Sequence, residues 1–384
     1  MGYLYLFSIC FYVYILIKKQ ISIGNIFPYI FLGFAVLYPG SCYINHISDS
    51  GFGFDISLTS DSKIINYYLF SSFSAITTFA LCIFFDKKSF IKNNTLLLIP
   101  DNNMAIKANI IYCIAFPITV YLSAISNWTT GARIGFIPSM SAYFRNIITV
   151  LTIVLFRYGD QENKIKKLIL LVLFGIITFL STQRTNFLIV GMAYIYTIKD
   201  SKSALKYAFL FIILLLVAGS LRNGISATEF LYPIFGEGIF GSWGTLNAIY
   251  EIQSYGYEVN NMIYAFNGIF NFFLKFFSLN LPTVSSILWS HGIVYYPMGG
   301  FFYLSDAILW NPILGPPIYT IVIYKIYSFA YRLWIIQKSP YALLYLGLSF
   351  ELVKADSTVI TAMYIFHLLV MYFVLKIGKL KIKL

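Results

Sequence analysis

Arginine side chains occur at four places where the surrounding sequence is apolar and nearly free of charge. Arg184 stands in the short connection 181–185 between two apolar runs, and Arg222 directly follows another run. Arg145 lies inside an apolar run, and Arg133 lies in a glycine-containing connection. A guanidinium is a planar fork of donors that binds phosphate or diphosphate oxygens in pairs. These arginines are therefore candidates for binding a diphosphate, and the alternative is contact with lipid phosphates at the membrane surface.

Three further residues are candidates for accepting a proton from an attacking hydroxyl group. His291 is the first, because an imidazole changes its charge close to neutral pH. Glu237 has a glycine on each side, which lets the backbone approach a ligand closely. Asp306 falls near the mouth of an apolar run, where an unpaired carboxylate is costly. For each residue, a purely structural role is the alternative interpretation.

Membrane-spanning helices must position these groups. The chain has 384 residues, of which 59% are hydrophobic and 11% are charged, whereas soluble domains carry about 25% charged residues. Its apolar runs are roughly 14–22 residues long, close to the ~20 that cross a bilayer as a helix. The alternating ten-residue pattern of a membrane β-barrel is missing from the sequence. We therefore predict an all-α, polytopic integral membrane protein, with residues 1–384 forming a single membrane domain.

Most of the 27 Lys and Arg residues lie in alternate connections between the apolar runs. Cytoplasmic connections are enriched in Lys and Arg, so this asymmetry predicts which side each connection occupies. The net charge of +12 is spread over short connections, which favours contact with anionic lipid headgroups over binding of nucleic acid. The predicted cytoplasmic groups lie at residues 18–19, 87–107, 157–167, 199–206, 325–338 and 376–383.

With these sides assigned, about eleven spans thread through the membrane from an external N-terminus. One large connection, about 222–300, is external, and its mixture of aromatic runs with Gly and Pro predicts interfacial helices on the outer leaflet. The candidate arginines and proton acceptors all fall on the outer side or in the outer half of a span. The predicted spans are 3–17, 24–42, 64–85, 108–126, 138–156, 168–182, 186–198, 207–221, 303–324, 340–353 and 358–376.

Several chemical signatures are missing from the sequence. His, Asp and Glu show no metal-ligand spacing, and neither a P-loop nor a G-x-S-x-G motif occurs. The long connection also lacks an Asp-x-Asp pair, and the four cysteines lie in or beside spans without a C-x-x-C spacing. The N-terminus has no signal-peptide pattern, so we expect the first span to be retained. These features predict an arginine-rich outer site that uses neither a metal nor another cofactor.

Together, the architecture and four short motifs resemble the O-antigen and capsule repeat-unit polymerases of the Wzy type. LSTQRT at 180–185 resembles the family's S-x-S-R-T/G element at the outer end of a span. MGG at 298–300, LSD at 304–306 and WNPILG at 310–315 are similar to its GG…L-x-E…N-x-G stretch. Two positions depart from the pattern, because Asp306 stands where Glu is commoner and Gln183 replaces a small residue.

The resemblance implies metal-independent glycosyl transfer at the outer face of the bacterial inner membrane. The substrate would be an undecaprenyl-diphosphate-linked oligosaccharide, polymerised into O-antigen or capsular polysaccharide. Arg184 and Arg222 would stabilise the leaving diphosphate with support from Arg145, while Arg133 is a further binding candidate. His291, Glu237 or Asp306 would be the base. Membrane lipids, a chain-length regulator and a flippase are the other partners that the resemblance implies.

Two other functions fit much of the same sequence. An O-antigen ligase uses the same donor with a different acceptor, so the sequence barely separates it from a polymerase. A flippase or transporter of lipid-linked oligosaccharide belongs to a different class and is expected to show paired halves around a central cavity. The sequence shows no internal repeat, and its polar residues collect on one side of the membrane, which favours an enzyme.

Overall fold

The computed structural model describes residues 1–22, 24–47, 62–86, 101–128, 136–159, 164–181, 185–198, 200, 202–211, 213, 242, 244–250, 252–254, 267, 270–271, 274, 279, 281–282, 303–355 and 357–379. Every regular element in this part of the chain is an α-helix. Residues 202–211 and 244–250 are helical. The other helices are α1 (Gly2–Lys18), α2 (Phe27–Ile47), α3 (Ser62–Phe85), α4 (Asn102–Trp128), α5 (Phe136–Tyr158), α6 (Lys164–Ser181), α7 (Thr185–Thr197), α8 (Tyr303–Trp310), α9 (Gly315–Gln337), α10 (Pro340–Leu348), α11 (Glu351–Lys354) and α12 (Ser357–Lys379).

Helices dominate because an apolar run in lipid must satisfy its backbone hydrogen bonds internally. The described residues include four helical segments long and apolar enough to cross a membrane, and three shorter apolar helices. The all-helical prediction is confirmed for the described residues, and the count of eleven spans stays a prediction. The four long segments are Ser62–Phe85, Asn102–Ile125, Met140–Tyr158 and Ile360–Ile377, and the three shorter ones are Gly2–Lys18, Phe27–Gly40 and Thr185–Thr197.

Aromatic side chains pack between the first three helices. The ring of Phe31 in α2 stacks on Phe79 in α3, with 3.9 Å between the ring centroids. Tyr12 of α1 meets both rings edge-on, at 6.2 Å from Phe31 and 5.8 Å from Phe79. All three side chains are almost completely buried. Close aromatic packing of this kind holds the helices together where lipid removes most of the hydrophobic driving force.

Helix ends that the sequence predicts to be cytoplasmic lie together. The Lys19 Nζ lies 5.3 Å from the centroid of the Phe84 ring, which brings the end of α1 beside the end of α3. The Arg157 Nε donates a hydrogen bond to the carbonyl oxygen of Lys338, which brings the end of α5 beside the end of α9. We call this side of the assembly the basic end, and the other side the opposite end.

A carboxylate at the basic end receives three donors from one face of α9. Asp86 directly follows α3, and its Oδ2 accepts from Tyr324 Oη at 2.9 Å, from Ser328 Oγ at 3.0 Å and from Arg332 Nη2 at 2.7 Å. The donors are spaced four residues apart, which places them on one face of the helix. The Asp86 side chain is only 7% exposed, so this cluster joins α3 to α9 at the basic end.

The predicted span 303–324 is wrong as a single helix, because the chain turns back between α8 and α9. Asn311 Oδ1 accepts hydrogen bonds from the backbone N–H groups of Ile313 and Leu314, at 3.1 and 2.8 Å. Farther from the turn, the hydroxyl groups of Tyr303 and Thr320 lie 3.1 Å apart, so the two helices run side by side. This turn chemistry is typical of Asn, whose side chain can take the place of a backbone acceptor.

A glycine is required where α9 begins. A Cβ atom built on Gly315 would lie 1.7 Å from the carbonyl oxygen of Ala307, which leaves no space for any other residue. Pro316 and Pro317 then occupy the first turn of α9, where the missing N–H of proline costs nothing. Residues 311–315 therefore encode a tight helix–turn–helix, with α8 as a short helix packed on α9.

The predicted span 340–353 is also divided. Helix α10 has nine residues and is followed by a turn at 349–350 and the four-residue helix α11. Nine helical residues extend only about 14 Å, which is too short to cross a bilayer. Gly347 of α10 packs closely on α7, where its Cβ position lies 2.7 Å from the carbonyl oxygen of Ile189.

Part of the predicted external connection 222–300 is buried among the helices. Residues 244–249 are all buried, and the hydroxyl group of Thr245 lies 3.1 Å from that of Ser305. Ser242 donates a hydrogen bond to the carbonyl oxygen of Tyr38, and its hydroxyl group lies 3.3 Å from that of Tyr68. This stretch therefore lies between α2, α3 and α8, whereas the sequence predicts interfacial helices for the whole connection.

Asp200 caps the helix that begins at residue 202. Its carboxylate accepts hydrogen bonds from the Ser203 hydroxyl and the Ser203 backbone N–H, each at 2.8 Å. These bonds, with the Ser203 hydroxyl first, lower the pKa of the Asp200 carboxyl from its ordinary value. An ionised carboxylate at a helix start also complements the helix dipole, so the cap weakens as the pH falls through this pKa.

Candidate functional site

The Arg145 guanidinium is buried inside the helical assembly. Its residue is 4% exposed, and its Nη1 donates a hydrogen bond to Ser141 Oγ at 2.6 Å. Ser141 precedes Arg145 by four residues, so both side chains share one face of α5. The Ser141 hydroxyl in turn lies 3.3 Å from that of Ser123 in α4. The cation therefore lies beside a small hydroxyl cluster between α4 and α5.

The depth of Arg145 is unusual for a charge. It lies thirteen residues before Tyr158, the last residue of α5, which corresponds to about 20 Å from the basic end. It also lies within Met140–Tyr158, a segment apolar enough to cross a membrane. Ionisable side chains inside a span usually face the protein interior or a cavity, where they bind ligands or ions. The burial of Arg145 agrees with the expectation that a charge within a span faces the protein interior, and its role in binding stays a prediction.

An amide pair joins α5 to α7 next to Arg145. Asn186 Nδ2 donates a hydrogen bond to Asn146 Oδ1 at 2.9 Å. Asn186 is the second residue of α7 and is 6% exposed. Arg184 precedes Asn186 by two residues in the sequence, but it lies outside the described residues. The hydrogen bond thus ties the start of α7 to the residue that follows Arg145.

Asp306 is buried in the first turn of α8. It is 1% exposed, and the neighbouring Ser305 is fully buried with its hydroxyl group 3.1 Å from that of Thr245. A negative charge in the first turn of a helix is stabilised by the helix dipole. The hydroxyl groups around α8 form a second polar region inside the assembly. Asp306, a predicted base candidate, therefore lies at a protected position suited to a carboxylate.

The two described candidates lie on different sets of packed helices. Helix α5, with Arg145, packs against α4, α7, α10 and α12, whereas α8, with Asp306, packs against α3, α9 and α11. The divided element α10–α11 contacts both sets. The remaining candidates lie outside the described residues and stay predictions; these are Arg133, Arg184, Arg222, Glu237 and His291.

Glu351 and His367 are buried ionisable residues that the sequence predictions did not use. Glu351 lies in α11, which contacts α8, and is 4% exposed. His367 is fully buried in the middle of α12, and its Nδ1 hydrogen bonds to the Met363 carbonyl oxygen at 2.7 Å. Because a carbonyl only accepts, Nδ1 carries a proton in this bond, and in the neutral ring Nε2 is then the acceptor. Their signal in the sequence is an ionisable residue inside or directly beside an apolar run.

The described polar groups can bind an anion and accept a proton. A buried guanidinium supplies fixed donors, and the carboxylates of Asp306 and Glu351 are possible proton acceptors in a poorly hydrated region. Among the described residues, no three His, Cys, Asp or Glu side chains come close enough to hold a metal ion.

Comparisons of the chain with protein-family models, curated proteins and solved structures gave no match. The resemblance to Wzy-type polymerases therefore rests on the membrane architecture and the short motifs. One of those motifs has a physical basis in the fold, because Asn311 and Gly315 of WNPILG form the turn between α8 and α9.

Proposed function

We propose that the chain is a Wzy-type glycosyltransferase, which polymerises polyprenyl-diphosphate-linked oligosaccharide repeat units at the outer face of a bacterial inner membrane. The observation that supports this most directly is the guanidinium of Arg145, 4% exposed within a helix apolar enough to cross a membrane. A cation at that depth is costly unless an anion or a polar cavity compensates it. A diphosphate is an anion that a guanidinium binds well.

The proposed reaction breaks the bond between the anomeric carbon of the donor glycan and its diphosphate. The diphosphate leaves with the bonding electron pair, and a hydroxyl oxygen of the acceptor sugar forms the new bond to the anomeric carbon. Arg184 and Arg222 stabilise the charge on the leaving group, with Arg145 in support. The hydroxyl proton passes to a base, for which His291 is the first candidate and Glu237 and Asp306 follow.

The membrane arrangement that goes with this proposal has about eleven spans, one of them made of α10 and α11 together, and an active site facing the periplasm or the cell exterior. The contacts at the basic end support the sidedness, because helix ends with predicted cytoplasmic charges lie together there. The fixed arginine donors take the role that a divalent cation has in many other diphosphate-using enzymes. An O-antigen ligase uses the same donor chemistry and differs only in its acceptor.

A transporter of lipid-linked oligosaccharide is the second candidate, and one observation favours it. The α8–α9 and α10–α11 elements are interrupted helices, and each carries a buried carboxylate, Asp306 or Glu351. Interrupted helices with ionisable residues near their breaks are typical of substrate sites in secondary transporters. The polymerase remains the first candidate, because the sequence shows no repeated halves, which counts against a transporter.

Replacement of Arg145 by Ala tests the polymerase proposal. We expect the variant to insert normally but to lose long chains, since removal of one fixed donor typically costs about 10²–10³ in rate. Arg145→Lys should restore little activity, because an ammonium cannot bind two phosphate oxygens as a planar fork. The measurement is the glycan ladder formed from purified lipid-linked repeat units and the variant in lipid nanodiscs.

Arg157→Ala is the matched control, because it removes the same type of side chain from the same helix at the basic end, away from the proposed site. It should retain the ladder, and an equal loss in both variants would assign the Arg145 effect to helix stability.

Deletion of the gene separates the function classes in the native host. Loss of a polymerase leaves single repeat units on the cell surface, loss of a flippase retains them inside, and loss of a ligase leaves polymer on its lipid carrier. Either of the last two results would contradict the polymerase proposal.

A further inference from the structure

Two lysines and an aromatic ring meet where α1 and α3 end. The Nζ atoms of Lys18 and Lys19 lie 5.5 and 5.3 Å from the centroid of the Phe84 ring. Lys18 Nζ also lies 5.5 Å from the centroid of the Tyr14 ring. Such cation–π contacts attract an ammonium group but leave its net charge in place. Two positive charges are therefore held around one ring at the basic end, and we call Lys18, Lys19 and Phe84 the lysine corner.

The backbone after α1 keeps these two lysines at the corner. Lys18 is the last residue of α1, and Gln20 has a φ of 48°, which is uncommon for a residue other than glycine. The Ile21 backbone N–H donates a hydrogen bond to the Leu16 carbonyl oxygen at 3.2 Å, which closes a Schellman motif. The chain therefore leaves the direction of α1 directly after the two lysines, and both of them stay beside the end of α3.

The carboxylate that follows α3 does not offset the charge of the lysine corner. Asp86 accepts three donors from α9, and its ion pair is with Arg332, at 2.7 Å. Among the residues that the structure describes, neither Lys18 nor Lys19 forms an ion pair with an acidic side chain. The lysine corner thus carries two positive charges for which the described part of the chain supplies no anion.

A third ammonium group lies on the α9 side of the same helix end. Lys325 is exposed and lies near Cys82, in the last turn of α3. It shares a face of α9 with Ile321 and Phe329, which are exposed and apolar, so this face contacts lipid in a membrane. Lys325 precedes Arg332 by seven residues, which places it about 10 Å farther from the basic end. A lysine at such a position extends its ammonium group toward the lipid phosphates.

We propose that the lysine corner, together with Lys325, binds the head group of an anionic phospholipid from the cytoplasmic leaflet. The three ammonium groups flank the end of a single helix, α3, on its α1 side and its α9 side. Basic sites between helices on the cytoplasmic side of a membrane bind such head groups. This site goes beyond the proposed glycosyl transfer and does not depend on it.

A lipid fits the lysine corner better than a free phosphate ion does. Ile17 and Phe85 adjoin the corner in the sequence and are 70% and 71% exposed, so they offer apolar surface to acyl chains. The charge of the head group decides between classes of phospholipid. A zwitterionic head group would bring a further positive charge to the corner, whereas one with a net negative charge, such as that of phosphatidylglycerol, compensates the lysines.

Photolabelling of the full-length protein in phosphatidylcholine nanodiscs tests this site. The probe is phosphatidylglycerol with a diazirine near the carboxyl end of one acyl chain, and the labelled peptides are mapped by mass spectrometry. We expect the label at the ends of α1 and α3 and on the exposed face of α9. The double variant Lys18→Gln/Lys19→Gln should lower this labelling about tenfold or more, because each lysine near anionic lipid contributes about fivefold to binding.

Lys376→Gln is the matched control. Lys376 is an exposed lysine in the last turn of α12, and its Nζ also lies over a ring, 5.8 Å from the centroid of Tyr372. Its replacement removes the same charge from the same type of contact and should leave labelling at the lysine corner unchanged. Lys325→Gln should lower the labelling of α9 about fivefold. All four lysines lie at the surface of the assembly, so each variant should keep the wild-type melting temperature.

Four outcomes would overturn the proposal. The first two are equal labelling of the corner by a phosphatidylcholine probe, and unchanged labelling in both the double variant and Lys325→Gln. The third is an equal loss in Lys376→Gln, which would show that only the overall charge of the protein matters. The fourth is displacement of the probe by inorganic phosphate beyond that caused by sodium chloride at equal ionic strength, which would identify a site for a free anion.

Discussion

At the level of single residues, the polar groups inside the assembly are the features most in need of explanation. Arg145, Asp306, Glu351 and His367 are each at most 4% exposed. Ionisable groups inside a membrane protein are costly and usually mark a substrate or ion site. Asp306 is the most informative, because it is a predicted base candidate and lies in α8, directly before the turn that Asn311 and Gly315 form.

Replacement of Asp306 by Asn separates a chemical role from a structural one. Asn preserves the shape but replaces one acceptor oxygen with an NH2 donor and cannot accept the proton, so a base role predicts a loss of about 10²–10⁴ in rate. The measurement is single-turnover transfer between defined lipid-linked units, together with the melting temperature. A normal rate in Asp306→Asn would exclude this residue as the base and leave His291 and Glu237.

At the level of elements, α8 and α9 show how a short sequence positions a functional group. The Asn311 turn and the close approach of Gly315 to Ala307 hold α8 against α9. This packing fixes the depth and direction of the first turn of α8, which carries Asp306. The interrupted element α10–α11 joins the helices that carry Arg145 to those that carry Asp306.

Replacement of Gly315 by Ala tests the importance of this packing. The added Cβ would overlap the Ala307 carbonyl oxygen, and overpacking of this kind typically costs about 1–3 kcal/mol of the free energy of unfolding. We expect a lower melting temperature and reduced transfer, because α8 must move away from α9.

Gly33→Ala provides the control for that substitution. A Cβ on Gly33, inside α2, has no atom within 4 Å, and Ala is the better helix former by about 1 kcal/mol. Gly33→Ala should therefore keep or raise the melting temperature. Equal behaviour of the two Ala variants would show that the Gly315 contact does not hold the hairpin together.

At the level of the whole molecule, the two ends of the assembly differ in chemistry. The basic end collects Lys and Arg side chains and the Asp86 cluster, whose Arg332 donor is 246 residues away along the chain. Arg145 and Asp306 lie inside the assembly, away from that end. This polarity is what the proposed function requires, because the lipid-linked substrate would be bound from the side opposite the basic end.

Cysteine labelling of intact cells tests this polarity. In a variant without the four native cysteines, Ile313→Cys lies in the exposed α8–α9 turn and Lys202→Cys lies at the basic end. A membrane-impermeant maleimide should label Ile313→Cys directly and Lys202→Cys only after permeabilisation, because cytoplasmic connections carry the positive charge. The reverse labelling pattern would show that the protein has the opposite orientation in the membrane. The proposed site would then not face the outside of the cell.

The sequence by itself determined the fold class, an all-helical chain with long apolar segments, and the positions of most long helices. Predicted spans such as 138–156 and 186–198 agree with α5 and α7 to within two residues, because an apolar run in lipid has few alternatives to a helix. Charge asymmetry also predicted which helix ends lie together. Arg145 was selected as a candidate in the same way, since a lone cation is conspicuous in an apolar run, and its role in binding stays a prediction.

Only the tertiary structure decided where helices are interrupted and which polar groups are enclosed. The α8–α9 turn depends on Gly315 meeting Ala307, and the burial of residues 244–249 depends on partners in α2, α3 and α8. Glu351 and His367 became informative only through the helices packed around them. Such features arise from contacts between residues distant in the chain, whereas hydropathy and charge patterns report only each segment's preference for lipid or water.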